Sequence, residues 1–153
     1  MGKQSFDVAR EIGDFVIAKA DGTAAYQIAV VVDDAEMGVT DVVRGDDLLD
    51  STPRQLLLYR ALGLEARVPR YWHLPLVVGP DGRRLAKRHG DTRLSAYRSA
   101  GVSRERIIRL LSRWCGIDGE AESIQEMLGR FDLAALPRER IVFTEADDSF
   151  LRS

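Results

Sequence analysis

Short apolar segments alternate with glycine- and proline-containing turns along most of the chain, a pattern typical of an α/β protein. Residues 14–20 alternate in polarity and precede the turn-forming Asp21 and Gly22, so we predict a β-hairpin whose second segment begins at Ala24. The run at 28–32 (IAVVV) is rich in β-branched residues. It indicates either a buried strand or a buried helix, because hydrophobic periodicity does not separate the two.

The next segments predict a strand, a helix and a second strand. An apolar run at 39–43 leads into Arg44, as expected of a parallel strand that ends in a ligand-binding loop. Residues 51–53 (STP) predict a helix start with a hydroxyl cap and a proline in the first turn, and Gly63 predicts its end. A further strand is predicted over residues 71–78.

The second half of the chain is predicted to be mainly helical. A tight turn at 79–82 (GPDG) leads into a positively charged loop, and helical spacing follows at 94–99, 103–114 and 123–128. The end of the chain is predicted to be helical and then irregular. The whole pattern therefore predicts one body with a weakly attached C-terminal tail.

Length and composition fit a soluble domain with its own core. The chain has 153 residues, of which 45% are hydrophobic and 30% charged. No apolar run approaches the ~20 residues of a membrane span, and the N-terminal residues lack a signal-peptide pattern. A cytoplasmic protein without a membrane partner is therefore predicted. The single cysteine, Cys115, excludes an internal disulfide and a thiolate zinc cluster built from this chain alone.

Charge is unevenly distributed, although the formal net charge is only −2. Residues 83–113, which we call the basic strip, carry ten arginines and lysines against two acids. The first fifty residues carry four against eleven. This segregation predicts either a surface for a polyanion or a solvated helix face.

Three polar segments carry the candidate chemistry. Aspartates occur in pairs at 33–34 and 46–47, where they would suit Mg²⁺ or cap helices. Arg44 is a natural fork for a carboxylate or phosphate, with a surface salt bridge as the alternative. The loop at 84–88 (RLAKR) holds a lysine suited to neutralising a phosphate charge. His73 lies in an apolar strand without a second ligand at metal-binding spacing, which indicates a hydrogen-bonded core residue.

Four segments, taken in order, resemble the second half of the class I glutamyl-tRNA synthetase catalytic domain. They are 20–34 (ADGTAAYQIAVVVDD), 38–55 (GVTDVVRGDDLLDSTPRQ), 73–76 (HLPL) and 85–89 (LAKRH). The loop also resembles the K-M-S-K-S signature of class I synthetases, with Arg84 at the first lysine, Ala86 at the serine and Lys87 at the second lysine. The resemblance spans roughly 14–117. It is specific because several separate motifs occur in the right order.

The resemblance implies an α/β fold, namely the C-terminal half of a class I synthetase Rossmann-like catalytic domain followed by a small helical region. Residues 1–90 would form the partial catalytic domain, including the K-M-S-K-S-like loop. Residues 91–153 would form a helical region that contacts the tRNA stem, with a tail. In the family, the stretch that begins at the tyrosine matching Tyr26 is a helix, so we prefer a helix over a strand for 26–36.

Within the family, 44–53 (RGDDLLDSTP) and 136–139 (LPRE) are most similar to glutamyl-queuosine tRNA(Asp) synthetases. The full-length enzymes that charge tRNA(Glu) usually have histidine where Leu48 stands. The family's N-terminal half carries an H-I-G-H signature, an arginine and serine for the amino acid, and often a zinc-binding insertion, and this sequence shows none of them. The resemblance therefore implies half a gene product, a split enzyme whose second chain supplies that half, or a truncated relic.

The resemblance also assigns roles to individual residues. Tyr26 and Arg44 would bind glutamate, and Lys87 would be the catalytic group that stabilises the migrating phosphate charge. ATP, which brings its own Mg²⁺, would lie against His73, Leu74, Leu85 and Lys87. The residues expected to contact tRNA are Arg83, Arg84, Arg88, Arg106 and Arg109. The alternatives are a non-catalytic tRNA-binding or assembly module and a truncated glutamyl-tRNA synthetase paralogue.

Overall fold

A computed structural model describes residues 4–85 and 91–153 of the chain. Internal contacts divide the chain into two units, Met1–Leu74 and Pro75–Ser153, instead of the one body that the pattern predicted. The predicted strand over 71–78 is interrupted at Pro75, because proline has no N–H to donate to a neighbouring strand. The expected division into a catalytic part, residues 1–90, and a tRNA-contacting part, residues 91–153, is one of function and stays a prediction.

The first unit follows a helix, strand, helix, strand order. Its elements are α1 (Tyr26–Met37), β1 (Asp41–Gly45), α2 (Ser51–Ala61) and β2 (Arg70–Leu74), with a π-helical turn at Val8–Ile12 and 3₁₀ turns at Asp46–Leu48 and Glu65–Arg67. The second unit contains β3 (Val77–Val78), α3 (Leu94–Ser99), α4 (Arg104–Trp114), α5 (Ile124–Arg130), β4 (Ile141–Val142) and α6 (Glu145–Arg152). None of the helices in the part of the chain that the structure describes is long and apolar enough to cross a membrane.

Helix α1 confirms the helix preferred for residues 26–36. Val31 and Ala35 lie one turn apart on its buried face and pack against Leu58 and Tyr59 of α2. A β-branched residue lowers helix propensity by only about 0.5 kcal/mol, whereas full burial of an apolar side chain contributes about 1.5–3 kcal/mol. Packing between the two helices therefore overrides the strand propensity of the run at 28–32.

Strands β1 and β2 form a parallel pair, with Asp41 opposite Arg70 and Gly45 opposite Leu74. Helix α2 connects them, as in a βαβ unit, so the predicted parallel strand is confirmed. The parallel register places the carboxyl ends of both strands at the same edge of the pair. Polar side chains from both strands can meet there.

The ends of α2 agree only in part with the sequence. The helix stops as predicted where Gly63 adopts φ +67°, a conformation that side chains with a Cβ rarely take. The hydroxyl cap is wrong, because the N-cap residue is Asp50 and it makes no side-chain capping bond. The hydroxyl of Ser51 instead accepts a hydrogen bond from Gln27 Nε2 at 3.1 Å.

The predicted hairpin before α1 is present as a turn but not as two strands. One antiparallel bridge joins Ala18 and Ala24, and the Lys19 N–H donates to the Thr23 carbonyl at 2.8 Å. Phe15 packs against the core of the unit, whereas Val16 and Ile17 remain 64% and 47% exposed, so the alternating segment is covered only at Phe15 among the described residues. Without a second layer over the rest of the segment, the alternation of residues 14–20 does not produce a longer ladder.

The predicted helices of the second unit are confirmed to within one or two residues, whereas the predicted tail is wrong. β4 pairs in parallel with β3, and Phe143 and Leu151 are 7% and 2% exposed within the core. Thr144 and Asp147 form a capping box at the start of α6, in which each side chain accepts a hydrogen bond from the other residue's backbone. The C-terminal residues are therefore part of the folded unit.

Replacing Leu151 with alanine is expected to destabilise the second unit by about 2–5 kcal/mol, because it removes a buried side chain and leaves a cavity. Urea denaturation measures this change. Leu128→Ala is a matched control, since Leu128 is 68% exposed and its truncation should change stability by less than about 0.5 kcal/mol. Equal stabilities of the two variants would contradict the packing of α6 into this core.

Candidate functional site

A cluster of polar side chains lies where β1 and β2 end and α2 begins. Arg44 and His73 are register neighbours on the two strands, and Tyr71 lies two residues before His73 on the same face of β2. Thr52 and Gln55 reach the cluster from α2. The βαβ connection therefore gathers the strand ends and one helix around the Arg44 guanidinium.

Arg44 donates hydrogen bonds to three neutral side chains. Its Nη2 donates to Thr52 Oγ1 at 2.7 Å, and its Nη1 donates to Gln55 Oε1 at 3.0 Å. Its Nε donates to His73 Nε2 at 3.2 Å. These contacts use three of the five N–H groups of a guanidinium and leave one on each Nη nitrogen. Arg44 is thus a half-buried, pre-oriented cation that can receive a carboxylate as a fork.

His73 is arranged as a neutral acceptor. Because Arg44 can only donate, His73 Nε2 must accept, and its proton lies on Nδ1. The Thr52 hydroxyl accepts from Arg44 and lies 3.1 Å from His73 Nε2, to which it can donate its own hydrogen. Burial, followed by the charge of Arg44, lowers the pKa of His73 below its usual value. His73 is therefore hydrogen-bonded as interpreted, but it is half-buried rather than part of the core.

The stability of the first unit is expected to fall as the pH is lowered through the ordinary histidine pKa of about 6.5. The folded-state pKa of His73 is below this value, so the unfolded chain binds the proton first. The contribution of neutral His73 is complete above the unfolded pKa, is lost as the pH falls toward the folded pKa, and then levels off. Urea titrations of the wild type and His73→Gln at neutral and mildly acidic pH test this, since glutamine keeps an acceptor without titrating. Parallel pH dependence in the two proteins would contradict it.

Asp34 and Tyr71 surround the same guanidinium. Burial and the neighbouring Asp33 raise the pKa of Asp34, while Arg44 lowers it. Burial raises the pKa of Tyr71 to about 12, and the Arg44 guanidinium carbon lies 5.1 Å from its ring centroid. Within residues 4–85 and 91–153, no three His, Cys, Asp or Glu side chains are grouped so as to hold a metal ion.

The other predicted substrate-binding residues are placed in different ways. Tyr26 is the first residue of α1 and is 59% exposed. The next residue, Gln27, is hydrogen-bonded to Ser51. Leu74 is half-buried at the end of β2. Leu85 lines an apolar cavity of about 180 Å³ in the second unit. Lys87, the predicted catalytic residue, lies outside the described residues, as do Ala86, Arg88 and His89.

Most of the described arginines of the basic strip have partners within their own unit. Arg109 forms ion pairs with Glu120 and Glu122, and Arg106 donates to the Leu151 carbonyl at 3.3 Å. Both arginines are half-buried, and neither extends freely into solvent. The acidic partners of Arg109 follow the strip in sequence, so charges that are segregated along the chain are paired in space. Arg83 and Arg84 are exposed.

Sequence reasoning missed Gln27, Thr52 and Gln55. Gln55 is only 2% exposed and shares the buried face of α2 with Leu58 and Tyr59, at the three- and four-residue spacing of a helix face. A polar residue at such a position must find hydrogen-bond partners. The helical spacing of a buried glutamine with apolar neighbours is the signal that could have identified it.

The family model for the catalytic domain of class I tRNA synthetases (E and Q) matches residues 4–142. This match is longer at both ends than the segment of roughly 14–117 over which the sequence was seen to resemble the family. Glutamyl-Q tRNA(Asp) synthetase of Symbiobacterium thermophilum is 56% identical over 131 residues, which are 84% of this chain and 40% of that protein. Glutamate–tRNA ligase 2 of Halorhodospira halophila is 47% identical over 134 residues, which are 86% of this chain and 28% of that protein.

Solved structures agree with these matches. A glutamate tRNA ligase from Elizabethkingia meningosepticum, solved in complex with its amino acid, superposes with a TM-score of 0.71 at 29% sequence identity. The superposition covers 88% of this chain and 31% of that one. The chain thus spans less than half the length of each of these relatives. Its α/β fold with parallel strands corresponds to part of a Rossmann-like catalytic domain, and the chain belongs to the class I tRNA synthetases (E and Q) through that domain.

Proposed function

We propose that the chain takes part in ATP-dependent activation of glutamate and its transfer to tRNA, as a ligase of the glutamyl-Q tRNA(Asp) synthetase type that acts in the cytoplasm. The proposal rests on the burial and the hydrogen-bond partners of Arg44. Its guanidinium is half-buried and hydrogen-bonded only to the neutral Thr52, Gln55 and His73 among the described residues. A cation held in this way favours an anionic ligand, because a carboxylate can accept from the N–H group that remains free on each Nη nitrogen.

The proposed reaction is adenylate formation followed by transfer. An oxygen of the glutamate carboxylate attacks the α-phosphorus of ATP, and the bond to the β-phosphate oxygen breaks, releasing pyrophosphate and leaving glutamyl adenylate. Arg44 binds a carboxylate of glutamate, and the Tyr26 hydroxyl donates a further hydrogen bond. The backbone of His73, Leu74 and Leu85 borders the adenine. Lys87 stabilises the phosphate charge as it migrates, a contribution of about 3 kcal/mol for a positioned charge stabiliser.

Two further groups are not supplied by the 153-residue sequence. Mg²⁺ enters with ATP and is bound mainly by its phosphates and water rather than by a protein cage. A segment that carries H-I-G-H completes the site, from a second chain or from further sequence of the same protein. The catalytic part is proposed to comprise residues 1–90, and residues 91–153 are proposed to contact the tRNA stem.

An NMR titration of the ¹⁵N-labelled chain with L-glutamate tests the proposal. Saturable shifts are expected at the ends of β1 and β2 and at the start of α2, around Arg44. L-lysine is the matched control ligand, because it has the same α-amino acid group with a cationic side chain. Shifts that are absent with glutamate, or equal for glutamate and lysine, would contradict glutamate recognition at this site.

The tRNA-contacting role of Arg83, Arg84, Arg88, Arg106 and Arg109 is part of the same proposal. The exposure of Arg83 and Arg84 supports it. Arg106 and Arg109 already have partners within the unit, so they would have to exchange these partners for phosphates.

The salt dependence of tRNA binding is expected to distinguish these arginines. Each duplex phosphate that is neutralised contributes about −0.9 to the slope of log K against log salt, so Arg83→Ala should flatten the slope by about that amount. Arg109→Ala should change it less, and the exposed Arg138 outside the strip is the control. Binding without any salt slope would reject tRNA contact through the basic strip. Binding of tRNA without glutamate recognition would favour the non-catalytic tRNA-binding module.

A further inference from the structure

Gln55 connects Arg44 to helix α1 through a chain of side-chain hydrogen bonds. Its Oε1 accepts from Arg44 Nη1 at 3.0 Å, and its Nε2 donates to Gln27 Oε1 at 3.0 Å. Gln27 Nε2 donates in turn to Ser51 Oγ at 3.1 Å. Gln55 and Ser51 are 2% and 7% exposed, so neither can exchange these contacts readily for water. We call Gln55 and Gln27 the amide relay.

The direction of every bond in the relay is set by Arg44. A guanidinium only donates, so the oxygen of the Gln55 amide must face Arg44 and its nitrogen must face away. The oxygen of Gln27 must then accept from Gln55, and the nitrogen of Gln27 is left to donate to Ser51. No amide in the relay can flip without setting two donors against each other.

We propose that the amide relay positions the Arg44 guanidinium for a carboxylate ligand without placing a negative charge of its own against it. This inference rests on the proposed function for the identity of the ligand, and Gln55 is its positioning residue. An amide at this place supplies an acceptor without a negative charge. A carboxylate there would pair with Arg44 and compete with the ligand. Because Gln27 follows Tyr26, the relay also ties the proposed tyrosine contact on α1 to the arginine on β1.

The direct test is Gln55→Glu, which changes charge but hardly changes shape. The substituted carboxyl is expected to pair with Arg44 and to weaken L-glutamate binding by about tenfold or more, and circular dichroism checks that the variant is folded. Gln125→Glu makes the same chemical change at an exposed position on α5 and should leave binding unchanged. Wild-type affinity for glutamate in Gln55→Glu would overturn the inference.

A second measurement tests the positioning without glutamate. In the ligand-free wild type, the Arg44 Nε–H is hydrogen-bonded and should give an ordered side-chain NMR signal. Gln55→Met, which removes the relay at nearly constant volume, should lower the order of this signal and speed its exchange with water. Gln27 is the half-buried member of the amide relay. If Gln55→Met does not fold, Gln27→Met can be used instead, with the same measurement of the Arg44 Nε–H signal.

The two measurements separate the inference from the proposed function. An Arg44 signal unchanged in both methionine variants would overturn the positioning role, whatever the ligand is. A disordered Arg44 signal in those variants, combined with a wild-type chain that ignores glutamate, would keep the positioning role and overturn glutamate as the ligand.

Discussion

Replacing Arg44 with alanine is expected to weaken the binding of L-glutamate to the chain by about 30-fold or more. Removing one partner of a desolvated charge pair costs about 2–5 kcal/mol, and each 1.4 kcal/mol is about a factor of ten in affinity. Arg44→Lys keeps the charge but loses the fork that reaches Thr52, Gln55 and His73, so its affinity should lie between those of alanine and arginine. Calorimetric or NMR titration of the three proteins measures the series.

The control for this series is Arg60→Ala, since Arg60 is an exposed arginine on α2 in the same unit. It should bind glutamate like the wild type. Circular dichroism of each variant separates loss of binding from loss of folding, because Arg44→Ala leaves three side chains without their donor. A folded Arg44→Ala protein with wild-type affinity would contradict the assignment of Arg44.

The second large effect concerns catalysis. The 153-residue chain on its own is expected to give no glutamate-dependent exchange of pyrophosphate into ATP, because its sequence contains no H-I-G-H signature to meet the ATP phosphates. Addition of a polypeptide that carries that signature should restore exchange, and Lys87→Ala should abolish the restored activity. Clear exchange by the chain alone that disappears in Lys87→Ala would contradict this account and show a self-sufficient enzyme.

The sequence predicted those elements whose signals are local. The parallel strand before Arg44 and the end of α2 at Gly63 follow from apolar runs and turn residues, and the structure contains both. For α1 the local signal was ambiguous. The resemblance to known synthetases decided it, and the packing of Val31 against Tyr59 explains why.

Features that depend on distant residues were not predicted. The burial of Leu151 requires residues from α3 and α4, and Phe143 just after β4, to surround it, and the C-terminal sequence by itself looks weakly apolar. Arg109 likewise pairs with Glu122, which lies beyond the end of the basic strip, so the local charge pattern does not reveal the pair. In the candidate site, Arg44 was found because it ends an apolar strand. The partners that hold it lie on α2 and β2, and only the fold brings them together.

The central claim is that Arg44 receives a carboxylate of glutamate. A crystal structure of the chain bound to a non-hydrolysable glutamyl-adenylate analogue tests this most directly. We expect a carboxyl or acyl oxygen of the glutamyl group within about 3 Å of the Arg44 Nη nitrogens, with Thr52, Gln55 and His73 keeping their present contacts. A glutamyl group bound elsewhere, with Arg44 contacting only protein side chains, would contradict it.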